Sequence, residues 1–332
     1  MKRNIIQILV ILFLFSCNSS KQSQWEVPAE QLPKQQVFVK SYGKALFELD
    51  TLIFAEGLKS IQADYAEFLS GDLNDSANIL KLYQFVTDTQ LRMLYQRSME
   101  VFPDMSQLNA QISKLFSHLS YHFPDVELPA VFTYISGVQF DAPVLTTENS
   151  IVVALDCYLG DSEPVYTKIG IPAYQSRRMT PEHITTDIAR AIYESRLEKT
   201  QFATTILDEM VQAGKQIVFL EAMQPDQSPH ILLGYSTEQM EWIIKNEHAV
   251  WATLVSEELL YKGDQLLFRK LFGDGPFTQD FSQDAPPRLG EYIGWRIVQN
   301  YVLKQSDLTL ASLLQMKDSQ DILTKSKYKP AK

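Results

Sequence analysis

Few side chains in this sequence have both the type and the spacing for chemistry. His118 and His122 lie four residues apart, the interval at which two imidazoles on one helix face can share a zinc ion. Leu119 stands where a zinc peptidase carries its catalytic glutamate, and Pro124 ends the helix just beyond. Near a helix C-terminus the simpler role is for the rings to meet unpaired carbonyls, and that is the role expected here. A second set, Asp156, Asp161, His183, Asp187 and Glu194, holds enough carboxylates to serve as an acidic hydrolase site. On the helix that carries the last three, Asp187 with Arg190 and Arg190 with Glu194 can equally pair across a solvated face, for a few tenths of a kcal/mol. Cys157 is a lone thiol after an apolar run, and such a residue reads as a small core side chain rather than a nucleophile.

The residues suited to contact rather than catalysis sit in one stretch. Asp156, Tyr158, Asp161, Tyr166, Tyr174, Arg177 and Arg178 fall between a strand and a helix, and tyrosine and arginine are favoured at interface hot spots. We therefore expect residues 156–179 to form a surface for a protein partner or peptide. The plainer alternative is that the rings cover a sheet edge while the arginines pair with nearby acids.

These residues must be positioned by the elements around them. Ile151-Val152-Val153-Ala154-Leu155 is a short apolar, β-branched run that reads as a buried strand, partnered by 130–136. Pro164, Gly170 and Pro172 predict an irregular loop up to Met179. Thr180-Pro181-Glu182 then opens a helix with Thr180 as N-cap, and Ile184, Ile188, Ala191 and Ser195 are its predicted buried stripe. Upstream, 36–41 reads as an edge strand, and apolar spacing predicts helices over 45–69, 76–85, 88–101 and 105–121. Residues 137–150 read mostly as loop. Downstream, helices are predicted over 202–223 and from Ser236, where Ser236 and Gln239 form a capping box. In the helix 288–303, Gly290 and Gly294 each cost about 1 kcal/mol relative to alanine. They imply a closely packed neighbour, read here as the helix from Pro181. The lysine-bearing end around Tyr328 reads as a solvated tail. The fold class is α+β, mainly α, with a small sheet framed by helices.

The N-terminus supplies an address. Lys2 and Arg3 precede an apolar stretch from Ile5 to Phe15, too short for a helix that needs about 20 residues to span a bilayer. Leu14-Phe15-Ser16-Cys17 resembles the bacterial lipobox, in which cleavage exposes a cysteine that is then acylated. This divides the chain into a signal peptide 1–16, a tether 17–34 and a single body 35–332, divisible at 129/130 into a helical part and a sheet with helices. Attachment to the membrane is expected through lipid on Cys17. Residues 18–22 lack the acidic cluster that marks surface export in Bacteroidetes lipoproteins, so the resemblance implies the outer membrane, facing the periplasm. Loss of Lys2 and Arg3 takes the formal charge from −10 to −12, and so acidic a body excludes nucleic acid as a partner.

Four motifs in order, Leu155-Asp156-Cys157-Tyr158-Leu159-Gly160-Asp161, Pro172-Ala173-Tyr174 with Arg177-Arg178, Tyr292-Ile293-Gly294-Trp295-Arg296-Ile297-Val298, and Ser326-Lys327-Tyr328, resemble the gliding-motility lipoprotein GldB family. That family is itself similar to zinc peptidases of the His-Glu-x-x-His type. The resemblance places their metal motif on Thr186-Asp187-Ile188-Ala189-Arg190, and a third ligand near Gln212. Threonine and arginine stand at the imidazole positions, and a guanidinium cannot ligate a cation. The resemblance thus implies a peptidase-like scaffold without metal, cofactor or catalysis, kept as a binding module for a partner of the motility or cell-envelope machinery.

Overall fold

A computed structural model describes residues 25–197, 203–278 and 281–331. Trp25, within the expected tether, packs on the body: its ring is buried and lies edge-on to His122, with centroids 6.1 Å apart. Residues 35–39 then run along helix α5 (Ser106–His122). The N–H groups of Gln35, Val37 and Val39 donate to Ser117 Oγ (3.3 Å), Ser113 Oγ (2.9 Å) and Asn109 Oδ1 (2.8 Å). Two residues of extended chain rise about 6.6 Å and four residues of helix about 6 Å, so alternate amides meet side chains four apart. The expected edge strand over 36–41 is therefore strapped to a helix, and only Lys40–Ser41 forms strand β1.

Helices α1 (Tyr42–Phe47), α2 (Phe54–Ile61), α3 (Ser76–Thr87) and α4 (Thr89–Val101) precede α5; α3, α4 and α5 lie close to their predicted bounds, whereas the helix expected over 45–69 is broken into α1 and α2, with turns over 62–68. Strands β2 (Ala130–Tyr134), β3 (Val144–Thr146) and β4 (Ser150–Ala154) complete a sheet of order β1-β2-β4-β3. β1 and β4 flank β2 in parallel, Val131 opposite Ile151, whereas β3 is antiparallel to β4, Leu145 opposite Val152. All five residues of β4 are buried, as its β-branched run requires. β3 is a short strand inside 137–150, which reads mostly as loop.

Past β4 a 3-10 turn, Leu155–Cys157, is followed by short helices α6 (Pro164–Lys168) and α7 (Ala173–Ser176) in what read as irregular loop. The prolines that suggested a loop sit at N1 of α6 and at the N-cap of α7, where a missing N–H costs nothing. A 3-10 turn, Pro181–His183, leads into α8 (Ile184–Ile192), which closes with a π-helical turn, Tyr193–Leu197. Then come α9 (Ile206–Met223), α10 (Pro229–Leu233), α11 (Thr237–Ser256), α12 (Gln265–Phe272), α13 (Leu289–Val302), α14 (Leu310–Gln315) and α15 (Ser319–Ser326). Capping boxes open α9 (Thr205, Asp208) and α11 (Ser236, Gln239, as predicted). The protein is α+β and mainly α.

The two glycines of α13 meet different neighbours, neither of them the helix from Pro181: Gly290 lies against the Phe272 ring of α12, and Gly294 against the backbone of α9. A Cβ on Gly294 would stand 1.8 Å from the Met210 carbonyl oxygen, and one on Gly214 would stand 2.3 Å from the carbonyl oxygen of Gly294. Glycine on both helices lets the backbones touch, and Gly214 is the answering residue in α9. The C-terminal residues are not a solvated tail either. Ser326 and Tyr328 are buried, and the Tyr328 hydroxyl donates to Glu247 Oε1 at 2.7 Å.

Candidate functional site

An open cleft of about 550 Å³ lies where β4 delivers the chain toward α8. One wall is the segment 140–144 entering β3, and the floor holds Tyr158 and the buried Cys157. Gln175, Arg178 and Met179 form the opposite side. α8 contributes Asp187, Arg190 and Ala191, the π turn contributes Glu194, and the loop after α12 contributes Asp274. Single π turns inside helices are frequent at functional sites, because the extra residue re-aims a side chain.

The charges of α8 do not pair with one another as a solvated face would. The Tyr158 hydroxyl donates to Asp187 Oδ2 at 2.7 Å. Burial raises the Asp187 carboxyl above the ordinary range, and this hydrogen bond with the charges of Arg190 and Arg178 partly offsets the shift. Arg190 donates to Gln216 Oε1 (2.6 Å) and to the Leu232 carbonyl (3.1 Å), while Gln216 donates to Glu194 at 3.0 Å. Burial lowers the Arg190 guanidinium from its usual value. Arg178 pairs with Asp274, which also lies 3.7 Å from the buried Arg288. Arg288 in turn donates to the Leu233 carbonyl at 2.5 Å, so two arginines meet the terminal carbonyls of α10.

The expected docking residues divide. Tyr158 and Arg178 line the cleft. Asp156 does not: it is fully buried and accepts from the N–H of Ser136 (2.9 Å) and of Val138 (2.7 Å). Val138 has φ of 63°, a conformation that disfavours a β-branched residue, so the carboxylate serves to hold this turn. Tyr166 is likewise buried, its hydroxyl donating to the Asp156 carbonyl and accepting from Leu159 N–H, both at 2.9 Å. Asp161 is exposed outside the cleft. Tyr174 is half-buried beside it, and Arg177 reaches Gln239 Oε1 at 2.8 Å.

Of the five residues considered as an acidic hydrolase site, the cleft brings together only Asp187 and Glu194. His183 is buried, with Nδ1 2.7 Å from Thr180 Oγ1, and burial, then Arg178 and His230, push it down to about 4. The Thr180 hydroxyl is thereby engaged with a ring and makes no N-cap bond. Burial pushes the Cys157 thiol upward, which removes thiolate character at neutral pH. The α8 stripe is also shifted: Ala189 and Ile192 are buried, Ala191 opens to the cleft, and Ser195 is exposed on the π turn.

Thr186 is buried with Gln224 Nε2 3.3 Å from its hydroxyl, and Gln216 of α9 meets Arg190. His118 and His122 do not cap carbonyls. Both ring nitrogens of His118 and Nε2 of His122 are buried without a hydrogen-bond partner among the described residues, and burial, with the neighbouring His118, pushes His122 down to about 4. Among the described residues no three His, Cys, Asp or Glu side chains converge in a way that could hold a metal ion. Asp274 and Gln216 escape sequence reading because neither lies in a motif. Pairing of Tyr158 with Asp187 is visible only once the turn after β4 lies against α8.

The family model of the gliding motility protein GldB matches residues 22–330. No curated protein and no solved structure matches the chain. With nearly the whole body matched, the chain belongs to the GldB family of gliding-motility proteins.

Proposed function

We propose that this GldB-family chain is a non-catalytic lipoprotein, anchored through Cys17 in the outer membrane, whose periplasmic body docks a protein partner of the motility or cell-envelope machinery in the cleft beside α8. The family supports a gliding-motility lipoprotein, and the lipobox supplies the anchor residue. One observation carries the non-catalytic part. Arg190, the chemically strongest group on α8, is held by Gln216 and by a main-chain carbonyl, and the thiol on the cleft floor, Cys157, is buried and pushed upward. What remains accessible is a large polar recess with a rigid frame, the property of a binding site.

The Cys17→Ser chain should lose fatty-acid labelling and leave the membrane fraction. With the anchor intact, Asp141→Ala combined with Gln175→Ala and Glu194→Ala should abolish colony spreading while the melting temperature stays within about 2 °C. Full spreading by the folded triple variant would move the working surface elsewhere. Peptide hydrolysis by the purified chain that Asp187→Asn abolishes would overturn the non-catalytic reading and make the chain a hydrolase.

A further inference from the structure

β3 is an edge strand beside the cleft, and its hydrogen-bonding pattern leaves one side open. Ala154 N–H donates to the Pro143 carbonyl and Thr147 N–H to the Ser150 carbonyl, both at 2.9 Å. In an antiparallel ladder such pairs alternate with non-bonded ones, so Pro143, Leu145 and Thr147 face β4 while Val144 and Thr146 turn their N–H and C=O groups outward. Among the described residues neither outward N–H meets an acceptor. Val144 lines the cleft, whereas Leu145, on the other face of the sheet, is 42% exposed. A row of main-chain groups spaced two residues apart is a template for one more strand.

Charge decides what that strand carries. Four carboxylates of the cleft, Asp141, Asp187, Glu194 and Asp274, face two guanidinium groups. Both guanidinium groups are already engaged, Arg178 with Asp274 and Arg190 with Gln216 and Leu232. Among the described residues, the donors on the oxygens of Asp187 and Glu194 are the neutral groups of Tyr158 and Gln216. Side chains of paired residues project to the same face of a sheet, so a residue set opposite Val144 points toward the α8 side of the cleft.

Resting on the cleft-docking reading, we infer that β3 pairs with an extended segment of the partner protein, and that a lysine or arginine of this segment is received by Asp187 and Glu194. Main-chain pairing supplies affinity and the acids supply selection.

The test uses the full-length lipidated chain in nanodiscs and pools of terminally blocked octapeptides with a fixed central lysine or a fixed central glutamate. The lysine pool should bind at least tenfold more tightly. Thr146→Pro removes one outward N–H and should weaken that binding at least tenfold, while Thr146→Val, which keeps the N–H, should bind like the parent. Should Thr146→Pro lower the melting temperature, residue-resolved hydrogen exchange on the parent chain decides. The lysine pool should slow the amides of Val144 and Thr146 and leave that of Leu145 unchanged. Equal binding of the two pools, a folded Thr146→Pro that binds as well as Thr146→Val, or no slowing at Val144 and Thr146 would overturn the inference. A photoreactive residue in place of Gln175 separates the two levels of the reading. Crosslinking to a protein in living cells, with no binding of any pool, sinks strand pairing but spares the docking surface. Absence of both removes the docking surface as well.

Discussion

Helix α9 meets α13 through glycines and α8 through long polar side chains, and the two contacts follow opposite rules. At Gly214 and Gly294 there is no room for a methyl group, since any Cβ would strike a main-chain carbonyl. At Gln216 and Arg190 the helices are bridged by side chains that stop short of filling the space, and the cleft of about 550 Å³ opens beside them. The first contact maximises burial and fixes the angle of the two helices. The second keeps a guanidinium and a carboxyl away from water at some cost in stability, an arrangement that folding alone does not favour. Surfaces kept for binding characteristically carry this cost.

The sharpest way to break the comparison is at the tight contact. Gly294→Ala should destabilise the body by about 3 kcal/mol or more, since the added carbon would overlap the Met210 carbonyl and only a shift of one helix relieves it. Denaturant titration of the variant measures this. A cost below about 1 kcal/mol would mean that α9 and α13 separate easily and that the seam is no more rigid than the cleft.

A smaller effect is expected on the other flank of α13. Glu247 accepts from Tyr328 (2.7 Å), Tyr292 (3.0 Å) and Arg296 Nε (3.1 Å), which ties α11, α13 and the C-terminal residues to one carboxylate. Tyr328→Phe removes one hydroxyl that donates to a charged acceptor and should cost about 1.5–3 kcal/mol, read as a lowered denaturation midpoint without a change in its slope. An unchanged midpoint would show that the C-terminal residues lie on the body without holding it.

How much of this was legible depends on how local each signal is. α5 could be read because Leu108, Ile112, Leu115 and Leu119 repeat at helical spacing, and all four are buried. β4 was legible from its β-branched run, and the start of α11 from Ser236 and Gln239. β3 was not, since three residues between Pro143 and Thr147 are too few for alternation to register. The glycines of α13 announced a close neighbour but not which one, because close approach is a property of two helices and only one was being read. Asp156 shows the same limit for the site. A carboxylate after a strand suggests a contact residue until the left-handed turn at Val138, distant in sequence though adjacent in space, gives it structural work.

The smallest effect, and the one that tests the meaning of the cleft, is at Asp187. Its carboxyl is raised chiefly by burial, so the folded protein binds a proton more tightly there than the unfolded chain does. Between the unfolded carboxylate value of about 3.9 and the raised folded value, the native state therefore holds more protons, and this group's contribution to stability falls as pH rises through that window. Above it the penalty of the ionised form is fully present. Asp187→Asn keeps an acceptor for the Tyr158 hydroxyl at 2.7 Å and removes the charge, so at neutral pH it should leave stability unchanged or raise it by about 0.5–1 kcal/mol. The difference from the parent should shrink as the pH is lowered through the same window. Denaturant midpoints of both chains across pH 3–7 measure this. A variant clearly less stable than the parent at pH 7 would make Asp187 a structural partner of Tyr158 and Arg190, and the cleft would then be packing of the same kind as the α9–α13 seam.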